Sequence, residues 1–386
     1  MRKRHTGVTG RDKRLRDVGL YWASPRGPRP VSYRIRRPGD DPVFRITTAL
    51  LIAAAMVVAA PGQGRGPQTS SAFAARIAGL SEPGGYFDTD NLISNERSYL
   101  QVFPELERLR VRGGAYIGVG PDQNFSYIAG LRPSVAFIVD IRRDNLLLHL
   151  LFKAIFDQSQ TRIQYLALLF GRPVPADVAA WRDASIERLA AYVRRPARDP
   201  SPNAARARLA RVVRRFGVPL SAGDLATIDR FHRRFVEGGL ELQFETAGRS
   251  PQSYYPTYGD LLLGTDGAGR QRNYLASEES FQFIKTMQAR DRVIPVVGNL
   301  SGMKALASIA RDLSAQGQSL SAFYTSNVEF YLERNGSYPQ FVANLSRIPR
   351  NGRSVVIRSI FNRGMGGSTS VVQPVEELLS QFAVVR

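Results

Sequence analysis

The sequence contains no cysteine and only three histidines, His5, His149 and His232. The first absence excludes disulfides, thiolate-bound metals and a thiol nucleophile. The second leaves too few imidazoles for a multi-histidine centre, so no metal is expected. Lysine is scarce as well: only Lys3, Lys13, Lys153, Lys285 and Lys304 stand among 53 basic residues. A net charge of +20 would ordinarily point to phosphate-bearing partners. An arginine skew of this kind fits coding bias as well as selection for phosphate contacts, and nucleic acid is not an expected partner. Long apolar runs are missing too. The run from Ile46 to Ala60 is free of charge for 15 residues, short of the ~20 that a membrane-spanning helix requires.

What is present suffices for a core of ordinary depth: 386 residues, 43% of them apolar, enough for one large domain or two smaller ones. Residues 1–45 read as a basic, unstructured leader rich in Arg, Pro and Gly. Residues 46–60 have the length of a signal-peptide core or a membrane anchor, with small residues at Val58-Ala59-Ala60 and Ala72-Phe73-Ala74 as possible processing sites. The alternative is a buried helix. Residues 61–80 read as a linker because of their Gly, Pro and Ser content. The mature chain is therefore expected outside the cytoplasm, periplasmic or extracellular, or held at a membrane by its N-terminal segment.

From residue 81 to 386, apolar runs alternate with helical patterns, the signature of βαβ units. The expected fold is α/β, a doubly wound, mostly parallel Rossmann-like sheet with a helical insertion at about 146–238. Residues 114–120 read as a strand, Gly118 and Gly120 as a turn, Phe125 to Leu131 as a helix and residues 134–140 as a second strand. Glycines there let the backbone turn tightly and approach a ligand, and the following helix N-terminus offers unpaired N–H groups. Asp140 closes the second strand 20 residues after Gly120, where a carboxylate accepts hydrogen bonds from ribose hydroxyls. Gly118, Gly120, Asp122 and Asp140 are thus the candidate cofactor-binding residues; the plain alternative is a structural turn. Gln123 occupies the third glycine position of the dinucleotide fingerprint, which disfavours NAD and FAD.

The segment YIGVGPDQNFSYIAGLRPSVAFIVDIRRDN resembles the first two motifs of class I S-adenosylmethionine-dependent methyltransferases. The resemblance implies S-adenosylmethionine as cofactor and Asp140 as the ribose acid. It departs where those families carry an acid two residues before the first glycine, here Tyr116. From about Tyr86 to Phe382 the chain is also similar to an uncharacterised family of bacterial exported or lipoprotein-like proteins.

Further strands are expected at 292–299, 320–327 and 354–361, and ligands of such sheets lie beyond the strands' carboxyl ends. This selects Asn299, Asn327 and Glu329 as candidate catalytic residues; by the resemblance Asn299 lies near the reacting group. Before the first strand, Asn91, Asn95 and Glu96 form a polar cluster suited to a substrate or lid role, though Ser94 or Asn95 would equally cap a helix starting at Glu96. His149 and Lys153 share a helix face at i, i+4 and read as a polar edge of a core helix. The leading reading is a methyltransferase-like protein acting on a small molecule. Its competitor is an exported binding or structural protein that keeps the fold without catalysis; a dehydrogenase ranks third because of Gln123.

Overall fold

The computed structural model describes residues 71–89, 91–196, 198–246, 252–361 and 367–383. The leader, the apolar segment at 46–60 and the linker up to residue 70 lie outside the described residues. A first helix, α1 (Ala72–Leu80), buries Phe73, Ala74, Ile77 and Leu80 and packs against β3 and α11, whose ranges are given below. The linker expected at 61–80 therefore ends by Ser71. Its last nine residues are core because their apolar side chains recur at helical spacing and meet the sheet. After α2 (Phe103–Arg108), the sequence runs β1 (Ala115–Gly118), α3 (Gln123–Leu131) and β2 (Val135–Asp140). No helix begins at Glu96; residues 97–102 are turns.

A long helical excursion follows β2: α4 (Arg143–Gln158), α5 (Arg162–Leu169), α6 (Ile186–Val193), α7 (Pro202–Arg215), α8 (Ala222–Gly238), α9 (Tyr258–Leu263) and α10 (Glu278–Ala289). The expected insertion at 146–238 needs correction at both ends. Helix α4 is buried on every side from Asn145 to Phe156 and packs on β2 and β3, because its apolar residues run round the whole helix and its polar His149 and Lys153 find hydrogen-bond partners. The excursion beyond the sheet thus starts after Gln158, and it continues through α10. Then come β3 (Val293–Val297), α11 (Ala305–Ala315), β4 (Leu320–Ser326), α12 (Val328–Arg334), α13 (Tyr338–Ser346), β5 (Arg350–Phe361), β6 (Ser368–Pro374) and α14 (Val375–Ala383).

The six strands form one sheet in the order β3-β2-β1-β4-β5-β6. The first five are parallel and β6 is antiparallel to β5. Strands β1, β2 and β3 are buried at every position, as strands covered on both faces must be. Pro295 is tolerated because β3 is an edge strand. That edge is closed by the chain leaving α1: Glu82 N–H donates to the Val297 carbonyl at 2.9 Å, and Val297 N–H to Ser81 Oγ at 3.1 Å. The strand order reverses between β1 and β4, which opens a crevice at their carboxyl ends.

Candidate functional site

A cavity of about 240 Å³ fills this crevice. Its floor comes from the turns after four parallel strands: Val119-Gly120 after β1, Asp140-Ile141-Arg142 after β2, Gly298-Asn299 after β3 and Ser326-Asn327 after β4. One wall is the segment carrying Thr89, Asn91 and Asn95, and aromatic rings of Phe87 and Tyr331 meet edge to face at 4.9 Å beside it. That segment is tied to the sheet rather than hinged. Gly85 N–H donates to the Ile141 carbonyl at 2.8 Å, Arg142 donates to the Thr89 carbonyl at 2.7 Å, and Thr89 forms a bridge with Thr246.

The turn after β1 is held from inside. Asn124 Nδ2 donates to the carbonyls of Val119, Gly120 and Pro121 at 2.9, 3.2 and 2.8 Å, while its Oδ1 accepts from Tyr116 OH at 2.8 Å. His149 Nε2 adds a bond to the Gly120 carbonyl at 2.9 Å, and burial pushes this imidazole down to about 4, so it is neutral and donates. His149 therefore supports the turn from beneath, and Lys153, its neighbour one turn on, points elsewhere, to the Gln288 carbonyl and Asp291. Gly120 has φ +90° and lines the cavity, a conformation that glycine adopts without strain.

Gly118 does not meet the cavity. A Cβ there would collide with Asn124 Oδ1 and the Tyr116 ring, so its bareness serves the packing of the turn and not the approach of a ligand. Asp122 also turns away: its carboxylate accepts from Tyr258 OH at 2.8 Å and Tyr274 OH at 3.1 Å inside the core. Glu329 is likewise removed from the cavity, because Thr325, Tyr338 and Arg358 bind it at 2.6, 2.9 and 2.8 Å. Glu96 stands behind the wall, buried, accepting from Tyr324 OH at 2.8 Å and from Ser326 Oγ. Of the residues selected from sequence, Gly120, Asp140, Asn299, Asn327, Asn91 and Asn95 come together on one cavity.

Three further residues matter that are not among the candidate site residues. Arg142 grips Asp140: its backbone N–H reaches Oδ1 at 2.9 Å and its guanidinium reaches both oxygens at 3.3 and 3.2 Å. Gln123 uses the space of the missing glycine, donating to Tyr324 OH at 3.4 Å, while its buried Oε1 has no partner. Ser326 adopts φ +54°, uncommon for a residue with a side chain. The adjacent Asp-Ile-Arg sequence was the available signal for Arg142; Gln123 is marked by the third glycine position of the fingerprint and Ser326 by the end of β4, but nothing local shows the role of either.

Burial of Asp122 gives the first testable consequence. Desolvation outweighs its two tyrosine bonds and raises its carboxyl to about 6, against an ordinary 3.8. A raised carboxyl makes the fold prefer the protonated form. Its contribution to stability is complete below about 3.8 and is lost as pH rises through about 6, a change of about 3 kcal/mol. His149 acts oppositely over nearly the same range, losing stability as pH falls from 6.5 toward about 4. Urea denaturation of the wild type and Asp122→Asn at pH 4.5 and 7.5 separates them. The variant should be relatively more stable at the higher pH by about 1–3 kcal/mol; an identical pH dependence would contradict the assignment.

The arrangement is that of an α/β protein with an amide-rich cavity at the carboxyl edge of a mostly parallel sheet. The family described as a domain of unknown function (DUF7790) matches residues 91–187 and 251–382, and the chain belongs to that family. The matched residues include all six strands and every turn of the cavity floor. No curated protein matches the chain.

Proposed function

We propose that this is a doubly wound, Rossmann-like domain whose cavity binds S-adenosylmethionine, a methyltransferase-like protein that acts on a small molecule. The observation that carries the reading is the convergence of Gly120, Asp140 and Asn299 on one cavity where the strand order reverses. Helices fall into two groups that support the doubly wound description: α3, α4 and α10 pack together, as do α1, α11, α13 and α14.

The residues present fit the nucleoside part of that cofactor. The unpartnered Gln123 Oε1 and the Asp140 carboxylate, two buried acceptors, suit donors on the ribose and base. When bound, the cofactor would supply an activated methyl group. The chain's own contribution would be alignment: the Asn124-braced turn and the Asp140–Arg142 pair fix one partner, and Asn299 and Asn327 face the other. Calorimetry with S-adenosylmethionine and S-adenosylhomocysteine tests the reading. Binding of neither at millimolar concentration by the folded protein would overturn it.

A second reading, an exported binding protein without catalysis, rests on the charges. Among the described residues lining the cavity, Asp140 and Arg142 are the only charged pair, and they neutralise each other. Asn299 Oδ1 is already engaged by Ser301 N–H and Oγ at 3.0 and 2.9 Å. A preparation that binds the nucleoside yet transfers no methyl group to any candidate acceptor would favour this reading.

Export belongs to the proposal as well, on the strength of the apolar segment at 46–60. Helix α1 sharpens where processing would fall. Ser71 Oγ accepts from Ala74 N–H at 3.2 Å and donates to the Phe216 carbonyl at 2.6 Å, and Phe73 is buried beneath Lys153. Cleavage at Ala72-Phe73-Ala74 would cut away this cap and core side chain. Mass spectrometry of the native protein should therefore find a first residue between Ala60 and Ser71; a cytoplasmic chain starting at Met1 would refute export.

A further inference from the structure

Glu96 is 1% exposed, and among the described residues no Lys or Arg pairs with it. Other buried acids are matched: Asp140 by Arg142, Glu329 by Arg358, Asp266 by Arg270 and Arg272. Asp122 shares the lack but lies behind Tyr258 and Tyr274, away from the cavity. Glu96, by contrast, is one hydroxyl from it. Ser326 lines the cavity and donates to Glu96, and its left-handed backbone, strained for a non-glycine residue, is retained at this one point after β4. Gln123, itself only 5% exposed, brings the unpartnered Oε1 to the same cavity floor, a neutral acceptor beside the uncompensated carboxylate.

We propose that Glu96 is the counter-charge for a cationic centre of the bound ligand, so that the cavity selects a positively charged S-adenosyl compound over its neutral thioether. The inference rests on the S-adenosyl reading above and deepens it. A buried carboxylate held only by neutral donors, hydroxyls and the Asn327 backbone N–H, is costly when ionised, and burial raises its carboxyl accordingly. A cation in the cavity relieves that cost, and the ligand gains what the carboxylate gains. At an effective dielectric of ~20, the attraction between unit charges separated by one intervening side chain is worth at least about tenfold in affinity. The paired Asp140 and Arg142 contribute no comparable preference.

The test is calorimetry with S-adenosylmethionine and S-adenosylhomocysteine, which differ in one methyl group and one positive charge, on the wild type and Glu96→Gln. The wild type should bind the sulfonium at least about tenfold more tightly, and the ratio should fall toward one in the variant. Equal binding by the wild type, or tighter binding of the thioether, overturns the inference while leaving the S-adenosyl reading intact. A ratio unchanged by Glu96→Gln also overturns it. Binding of neither compound by the wild type overturns the reading and the inference together. Circular dichroism melting shows whether Glu96→Gln folds; if it does not, the wild-type ratio alone decides.

Discussion

Replacing Arg162 with Met should cost the fold about 3–5 kcal/mol in urea denaturation, the largest effect anticipated for any single substitution outside the cavity. Arg162 is the largest fully buried side chain, at 2% exposure. It begins α5, and its guanidinium ties two distant loops to that helix. One terminal nitrogen donates to the carbonyls of Leu275 and Ala276 at 3.0 and 2.8 Å. The other donates to the Arg182 carbonyl at 2.9 Å and to that of Ala184. Glu278 supplies the balancing charge at 3.7 Å. Met fills similar volume but leaves those carbonyls without donors, and each buried orphan costs about 1–3 kcal/mol. Lys restores charge but not the planar fork, so Arg162→Lys should recover less than half of the loss. A destabilisation below about 1 kcal/mol for Met would show that water or loop movement satisfies these groups instead.

The second large effect concerns the ligand. Asp140→Asn is expected to weaken S-adenosyl binding about ten- to a hundredfold, the cost of exchanging a charged acceptor for a neutral one. Asn is the better probe than Ala. Asn keeps one of the two acceptors that Arg142 uses, whereas Asp140→Ala removes both, so that a larger loss of stability would be confused with lost affinity. Gly120→Val should weaken binding further, for a reason that lies in the backbone. A Cβ at 120 would meet only the ends of the Gln123 and Asn91 side chains, at 3.1 and 3.9 Å, which can move. The φ of +90° cannot be kept by a β-branched residue, so the turn itself would shift and carry the cavity floor with it. Wild-type affinity in either variant would remove the cavity from the proposed function.

Local pattern was enough to reveal the parallel strands and the turn between β1 and α3. A buried parallel strand needs a short, unbroken apolar run, and the residues at 115–118, 135–140, 293–297 and 320–326 have little else to do. It was also enough to mark Gly120, Asp140, Asn299 and Asn327, because each ends a strand or lies within two residues of its end, and strand ends of a parallel sheet share one edge. Polar pattern was ambiguous at Glu96, where a dense run of Asn, Ser and Glu suits a substrate or lid role and equally resembles a helix cap. Glu96 instead accepts from Tyr324 and Ser326, more than 220 positions away.

What only the tertiary structure decided is which polar groups remain available once neighbours have taken their share. Gly118, Asp122 and Glu329 sit at the expected positions along the chain, yet each is spent on a partner inside the core. Asp140 stays at the cavity but shares its charge with Arg142. Helix α1 belongs to the core because β3 has an open edge there, a property of strand order that no window of sequence contains. Periodicity is written residue by residue, so the chain by itself determined its elements and the edge where their ends meet. Desolvation and pairing depend on atoms brought together from distant positions, and these decided that Glu96, and not the acids nearer the motif, is left without a cation beside the cavity.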